Sequence, residues 1–209
     1  MNAGTMSLLL ILMLSATGTV IEEPEFELLE ERDGYEVRDY APYVIAEVTV
    51  TGDFRDSGNT AFRILADYIF GNNTGNTKMA MTAPVESREA GAGTKMQMTA
   101  PVLSTEESGG SYRYAFVIER KYTLESVPKP LDERVSLRET RPRTMAVRRY
   151  SGLWSRSNYE KNRSALLDAL ARDGVRVLGE PYLARYNAPF TPWFLRRNEV
   201  LVEIDGDSL

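Results

Sequence analysis

The second half of this 209-residue chain repeats the first at an offset of one hundred residues. That internal similarity restricts the fold more than any local pattern does. Val37, Arg38 and Asp39 correspond to Leu137, Arg138 and Glu139, while Pro42, Ala46 and Gly52 correspond to Pro142, Ala146 and Gly152. Arg63 matches Arg163, and after one inserted residue Leu65 and Asp67 match Leu166 and Asp168. A duplicated unit implies one order of strands and helix used twice, in halves related by a pseudo-twofold axis. Neither half covers its own hydrophobic face alone, so the two are expected to share a core, with a cleft between them where a small ligand can bind.

Local patterns fill in the unit. Residues 26–40 and 43–50 alternate apolar with charged or polar positions, the period of half-buried strands. Gly52 closes the second of these. Asp56 or Ser57 can cap a helix whose Phe62, Leu65, Ala66 and Ile69 fall on one stripe, and residues 71–73 (Gly-Asn-Asn) end it. A strand is expected over 112–119, and Pro128 and Pro130 mark a break between the halves. In the second half, Ser157 and Glu160 have capping-box spacing, Leu166, Leu167 and Leu170 form the stripe, and Gly174 stops the helix. Strands are expected over 176–178, 182–186 and 199–204. The predicted class is α+β: a duplicated unit forming a distorted antiparallel β-barrel or sheet flanked by two helices. One domain is expected over 26–205, with repeats at about 26–127 and 131–204.

Residues 77–85, TKMAMTAPV, return as 94–102, TKMQMTAPV. The alternation predicts two strands ending at Pro84 and Pro101, joined through the glycines of 86–93, with Met79, Met81, Met96 and Met98 on one face. Such a face is either core filled by flexible side chains or a soft wall for a flat apolar ligand.

Composition excludes whole classes of chemistry. The chain contains no cysteine and no histidine, which removes disulfides, thiolate nucleophiles, Cys or His zinc sites, histidine bases and histidine-ligated haem. A net charge of −5 argues against a nucleic-acid partner. No serine sits in a nucleophile-elbow pattern, so no catalytic residue, no metal site and no enzymatic activity are expected. Residues 8–14 are wholly apolar. The run is shorter than the about 20 residues a bilayer span requires, but it fits the core of a secretory signal occupying 1–18, followed by a linker over 19–25. The expectation is an exported or periplasmic protein, with a membrane anchored by that segment or a cytoplasmic location as alternatives.

Residues 186–199 gather aromatics, prolines and two arginines into one loop before the last strand. Packed over the core, the loop would pair Arg196 and Arg197 with carboxylates. Facing a ligand, its rings would stack on a planar body while the arginines grip carboxylates.

The doubled Lys-Met-x-Met-Thr-Ala-Pro-Val, the opening Tyr35-Glu36-Val37-Arg38-Asp39-Tyr40 and the closing 192–199 stretch together resemble the SOUL haem-binding protein family, over about residues 24–204. The resemblance implies a barrel-like sheet of two related halves with two helices. It also implies a hydrophobic groove for haem or another tetrapyrrole, lined by the first helix and the loop before the last strand. Carried onto this chain, the groove residues are Phe62, Leu65, Ala66 and Ile69 on the helix and Tyr186, Phe190 and Trp193 on the loop, with Arg63, Arg196 and Arg197 available for propionates. Basic residues found in animal members are replaced here by Asn59, Asp67 and Thr191. The expected function is binding or buffering of haem or a related porphyrin without histidine ligation. The alternative is a binding module for another apolar small molecule or a protein partner.

Overall fold

A computed structural model describes residues 22–90, 110–188 and 190–209. The N-terminal apolar segment and the second methionine repeat, including Met96 and Met98, lie outside the described residues. Strands β1 (Phe26–Arg32) and β2 (Tyr35–Tyr40) form a hairpin turned at Asp33 and Gly34, where Gly34 takes φ +96°. Next come β3 (Val44–Thr51), α1 (Phe54–Ile69), β4 (Val85–Ala90) and β5 (Ser111–Val117). The second half supplies β6 (Ser136–Glu139), β7 (Arg143–Tyr150), α2 (Arg156–Arg172), β8 (Tyr182–Arg185) and β9 (Asn198–Glu203). All nine strands join one antiparallel sheet in the order β1-β2-β7-β9-β8-β4-β5-β3-β6, which curls into a half-barrel with the two helices on one face. The class is α+β, as the alternating strand and helix periods imply.

Leaving β1 aside, that order reads the same from either end once corresponding strands of the two halves are exchanged. β2 answers β6, β7 answers β3, β9 answers β5, and β8 meets β4 at the centre. The registers agree residue by residue: Arg38 lies opposite Met145, and Ile45 opposite Arg138. The halves exchange their opening strands, since β2 pairs with β7 and β3 with β6 rather than with each other. Among the described residues, strand pairing therefore crosses between the halves at three places, these two and β4 with β8.

The helices cover one face and leave a second core on the other. Leu65, Ala66 and Ile69 of α1 pack on Val44, Ala46, Val48, Tyr114 and Phe116. Leu166 and Leu170 of α2 pack on Val37, Ala146, Val200 and Val202. Burying each such leucine or isoleucine contributes about 1.5–3 kcal/mol. Inside the curl, Tyr40, Tyr43, Ile45, Val117, Met145, Val147, Tyr182 and Leu201 form a third cluster. Strands lying between a helix and the curl are thus buried on both sides, which is why β3, with Val44 and Ala46 facing α1 and Ile45 facing the curl, opens as a continuous apolar run.

Two buried polar networks lie among these residues. Glu199, with no solvent exposure, accepts from Arg38 Nη1 and Nη2 at 3.0 and 3.2 Å, from Tyr186 Oη at 2.7 Å and from Arg197 Nε at 3.0 Å. Nearby, Tyr43 Oη donates to Glu86 at 2.8 Å and accepts from Arg143.

Four local expectations need correction. The N-cap of α1 is Asp53, whose Oδ1 accepts from Asp56 N at 2.9 Å, rather than Asp56 or Ser57. That of α2 is Ser155, accepting from Asn158 N at 3.2 Å, so the helix begins before the Ser157 and Glu160 pair. Both true caps follow a glycine at positive φ, Gly52 (+148°) and Gly152 (+125°), and the turn chooses which side chain faces the free amides. Thirdly, 77–83 is not a strand and 86–90 is not a turn. The first methionine segment runs irregularly beneath α1, held by Met79 N to Ile69 O at 2.9 Å and Ala80 N to Glu119 Oε1 at 2.8 Å. Pro84, after a cis peptide, precedes strand β4 instead of ending one. Met79 is core while Met81 is about a third exposed, so the two do not share one face. Residues 176–178 make an isolated bridge at Val177 to Ile204 rather than a strand.

Candidate functional site

At the centre of the sheet, where β4 meets β8 and each helix begins, a cleft of about 1380 Å³ opens on the helical face. Six segments wall it: the entry and first turns of α1, the start of β4, the start of β5, the 153–156 turn into α2, the end of β8 and the loop before β9. It lies between the halves, as the duplication predicts.

Helix α1 contributes Gly58, Asn59, Phe62 and Arg63, residues spaced to share one side of the helix. Phe62 belongs to the same stripe as Leu65, Ala66 and Ile69, but the stripe runs off the core at its N-terminal end. There Phe62 is 36% exposed and rests edge-on against Phe116, ring centroids 5.4 Å apart. Leu65, Ala66 and Ile69 are in the core and do not line the cleft.

The opposite wall is built around Trp154. Its Nε1 donates to Asn198 Oδ1 at 2.8 Å, which fixes the indole plane. Two guanidiniums stack on that plane, Arg196 at 4.2 Å and Arg185 at 5.3 Å from the ring centroid. Arg196 Nε also donates to Thr191 O at 2.8 Å. Burial pushes Arg185 below the ordinary arginine value, and the charge of Arg196 acts in the same direction; an arginine nonetheless stays protonated. The floor is Tyr112 and Tyr114. Tyr112 Oη accepts from Arg156 Nη1 at 3.3 Å, and Tyr114 Oη shares a 2.8 Å hydrogen bond with Ser57 Oγ. Burial raises the Tyr114 phenol, so it is neutral. Among the described lining residues four are arginines (Arg63, Arg156, Arg185, Arg196) and one is acidic, Asp53. The described wall thus sets guanidinium groups beside flat rings.

The structure therefore brings Phe62, Arg63 and Arg196 together and places the remaining sequence-derived candidates elsewhere. Tyr186 and Arg197 lie on the opposite face of the sheet: Tyr186 donates to Glu199, while Arg197 stacks on Tyr186 at 3.7 Å and pairs with Glu199 and Glu23. Strand alternation explains this, since Val200 and Val202 face α2 and Glu199 and Leu201 face the curl. Phe190 and Trp193 are 90% and 56% exposed on the outside of their loop. Asp67 accepts from Asn72 Nδ2 at 2.7 Å at the far end of α1 and does not line the cleft. Residues that sequence reasoning missed are Trp154, Arg185, Arg156, Tyr112 and Tyr114. One signal could have found Arg185, since alternation along β8 sets it on the face opposite Tyr182 and Ala184; the others are brought to the cleft by tertiary pairing.

Fold and cleft together define a class of two-half α+β domains, with one ββαββ unit used twice and a cleft lined by arginines and aromatic rings from both halves. The sequence matches the SOUL heme-binding protein family over residues 21–91 and 86–203, and the chain belongs to that family. It is 27% identical over 201 residues to "Heme-binding protein 2" of Homo sapiens, covering 88% of this chain and 90% of the human one. Identity to the Mus musculus protein of the same name is 26% over 200 residues, with the same coverage. Among solved structures, the EcmrR C-terminal domain superposes with a TM-score of 0.60 at 7% identity, over 82% of this chain and 98% of that one. A hydrolase from Listeria innocua gives 0.52 at 10% identity, over 85% and 94%. These two likenesses are of fold alone.

Proposed function

We propose that the cleft binds haem or a related tetrapyrrole reversibly, and that the protein acts as a carrier or buffer rather than a catalyst. The observation carrying this reading is the Trp154 wall: an indole held flat, with the guanidiniums of Arg185 and Arg196 against it, facing Phe62 and Arg63 across the opening. A planar macrocycle with carboxylate side arms needs flat apolar surface for its body and forked donors for its acids, and these residues supply both. The volume exceeds the about 300–1,000 Å³ usual for small-molecule pockets, which suits a large ligand. Membership of the SOUL family and the names of the curated relatives support the same ligand class.

The donor set also says how the ligand is held. With no histidine or cysteine in the chain, and with no methionine among the described residues of the cleft wall, the described wall offers stacking and carboxylate contacts rather than imidazole or thiolate ligands to iron. Haem would bring the iron and its macrocycle; this chain's residues bind and orient them.

Titration with haemin, followed by the Soret band and by quenching of Trp154, tests the proposal. The parent protein is expected to saturate. Arg185→Met, Arg196→Met and Phe62→Asp should each weaken binding by about ten-fold or more, the worth of a charge-assisted contact or a desolvated ring, with melting curves verifying that each variant is folded. Phe190→Asp should leave affinity unchanged, because that ring lies outside the cleft. Absence of a saturable change in the parent, or indifference to Phe62→Asp in a folded protein, would sink the reading in favour of another apolar ligand or a protein partner.

A further inference from the structure

On the sheet face opposite the cleft, inside the curl, β3, β5 and β4 set two rows of side chains next to each other. The first row is Glu47, Ala115 and Glu86, and the second is Thr49, Arg113 and Arg88. Alternation puts both rows on the face of Val117 and Tyr182. Ala115 leaves a gap where its neighbours are long. A niche of about 10 Å³ sits there, and its lining includes Glu47, Glu86, Arg88, Arg113 and Tyr182. That is room for one water-sized body. The carboxylates of the niche are already engaged. Glu47 accepts from Arg138 Nε at 3.0 Å, and Glu86 accepts from Tyr43 Oη at 2.8 Å with Arg143 Nη2 3.9 Å away. The donors are not: the side chains of Arg88, Arg113 and Tyr182 have no hydrogen-bond or ion-pair partner among the described residues. Arg88 and Arg113 are half-buried, and Arg88 lies 6.0 Å over the Tyr182 ring. Tyr182 is only 5% exposed. Burial, with the charge of Glu86, raises its phenol, so the oxygen keeps its proton. A buried hydroxyl without an acceptor is costly, and like charges directly opposite on neighbouring strands repel.

We propose that this niche binds a monatomic anion of the chloride class, gripped by Arg88 and Arg113 from adjacent strands, with the Tyr182 hydroxyl as a third donor. One anion accepts from all three groups at once and turns the repulsion between the two arginines into a pair of charge-assisted contacts. The size of the niche selects a halide, since a phosphate or sulfate carries four oxygens around its centre and exceeds the volume of one water. A water molecule would satisfy the phenol but leave the two guanidiniums opposed without a counter-charge. Glu47 and Glu86 do not exclude the anion, because each faces an arginine of its own, Arg138 and Arg143. Bound there, the anion ties β4 to β5 on one face, while Val85, Tyr112 and Tyr114 of the same two strands line the cleft on the other. The site needs no ligand in the cleft.

Bromide, which substitutes for chloride and scatters X-rays anomalously, is the probe. Crystals of the full chain grown in sodium bromide are expected to show an anomalous peak between the Arg88 and Arg113 guanidiniums. In solution, the unfolding midpoint at matched ionic strength is expected to be higher in sodium chloride than in sodium gluconate. It should climb with the logarithm of chloride concentration, as for a ligand that binds only the folded state. The double variant Arg88→Gln, Arg113→Gln changes no residue of the three apolar clusters and removes the like-charge pair, so it should fold. In it the peak should vanish and the two salts should become equivalent. Tyr182→Phe should weaken the apparent chloride affinity by about ten-fold, the worth of one hydrogen bond to a charge. No bromide in the niche of the parent, or equal midpoints in the two salts, overturns the proposal and returns the donors to water. A chloride effect that persists in the folded double variant overturns it as well. None of these measurements contains a tetrapyrrole, so the result is independent of what the cleft binds.

Discussion

Glu199 anchors more of the interior than any other polar side chain described here. It is fully buried and accepts four hydrogen bonds from Arg38, Tyr186 and Arg197. Burial alone would raise its carboxyl above the ordinary 4.5, but the hydrogen bonds and charge of Arg38, with the charge of Arg197 and the Tyr186 hydroxyl, hold it below that value. A depressed carboxyl contributes stability that is complete above 4.5 and is lost as pH falls through the folded-state value. Glu199→Gln should therefore cost about 3–5 kcal/mol at pH 7, as breaking a buried pair does, and should flatten the acid limb of a urea-stability profile below pH 4.5. A loss under 1 kcal/mol would mean that Arg38 is satisfied by Glu36 alone, 2.6 Å away. The motif 35–40 was legible in sequence as a strand. That its Arg38 turns inward to meet Glu199, 161 positions later, was not, because no local pattern encodes the partner of a buried charge.

Between residue and molecule, the helix entries set the walls of the cleft. Gly152 sits at φ +125°, and a Cβ there would come within 2.7 Å of Asn158 Nδ2. Asn158 in turn donates to Leu153 O at 3.1 Å, tying the turn that carries Trp154. Gly152→Ala is expected to cost about 1–3 kcal/mol from the disfavoured backbone region and to weaken ligand binding beyond that, because Leu153 to Arg156 shift with the turn. Chemical denaturation reads the first effect and haemin titration the second. Adding Asn158→Ala should recover only the steric part, and full recovery would show that the backbone carries no strain. The glycine pair at 52 and 152 was visible in the repeat, whereas the identity of the capping side chains was not. Ser155 and Ser157 are equally good caps in composition, and only the turn decides which oxygen meets a free amide.

Across the whole molecule, exchange of the opening strands makes each half incomplete. β2 finds its partner in β7, and β3 and β6 close the other edge in the same register. A fragment ending near residue 130 would expose the pairing edges of β2, β3 and β4 together with the apolar face inside the curl. We expect such a fragment to lack a cooperative transition by circular dichroism, while the full chain unfolds in one step seen alike by near- and far-UV signals. A fragment that melts cooperatively by itself would contradict this. The repeat announced two halves sharing a core but left open how they share it, and a hairpin of β2 with β3 inside each half satisfies the same periodicities.

What the sequence determined by itself was whatever follows from short-range chemistry: strand and helix periods, the hundred-residue repeat, the α+β class, and the exclusion of histidine and cysteine ligands. It also carried the family motifs, although the methionine pair within them serves as packing and irregular chain where it is described. Tertiary structure alone decided the face to which each candidate turned. Phe62 reaches the cleft because the core ends beneath it; Tyr186 and Arg197 go to the far side because a strand alternates; Trp154 becomes one wall of the cleft because Asn198 and two arginines converge on it. These outcomes rest on pairing between residues dozens of positions apart, and the energy of such contacts belongs to the assembled sheet rather than to any segment of the chain.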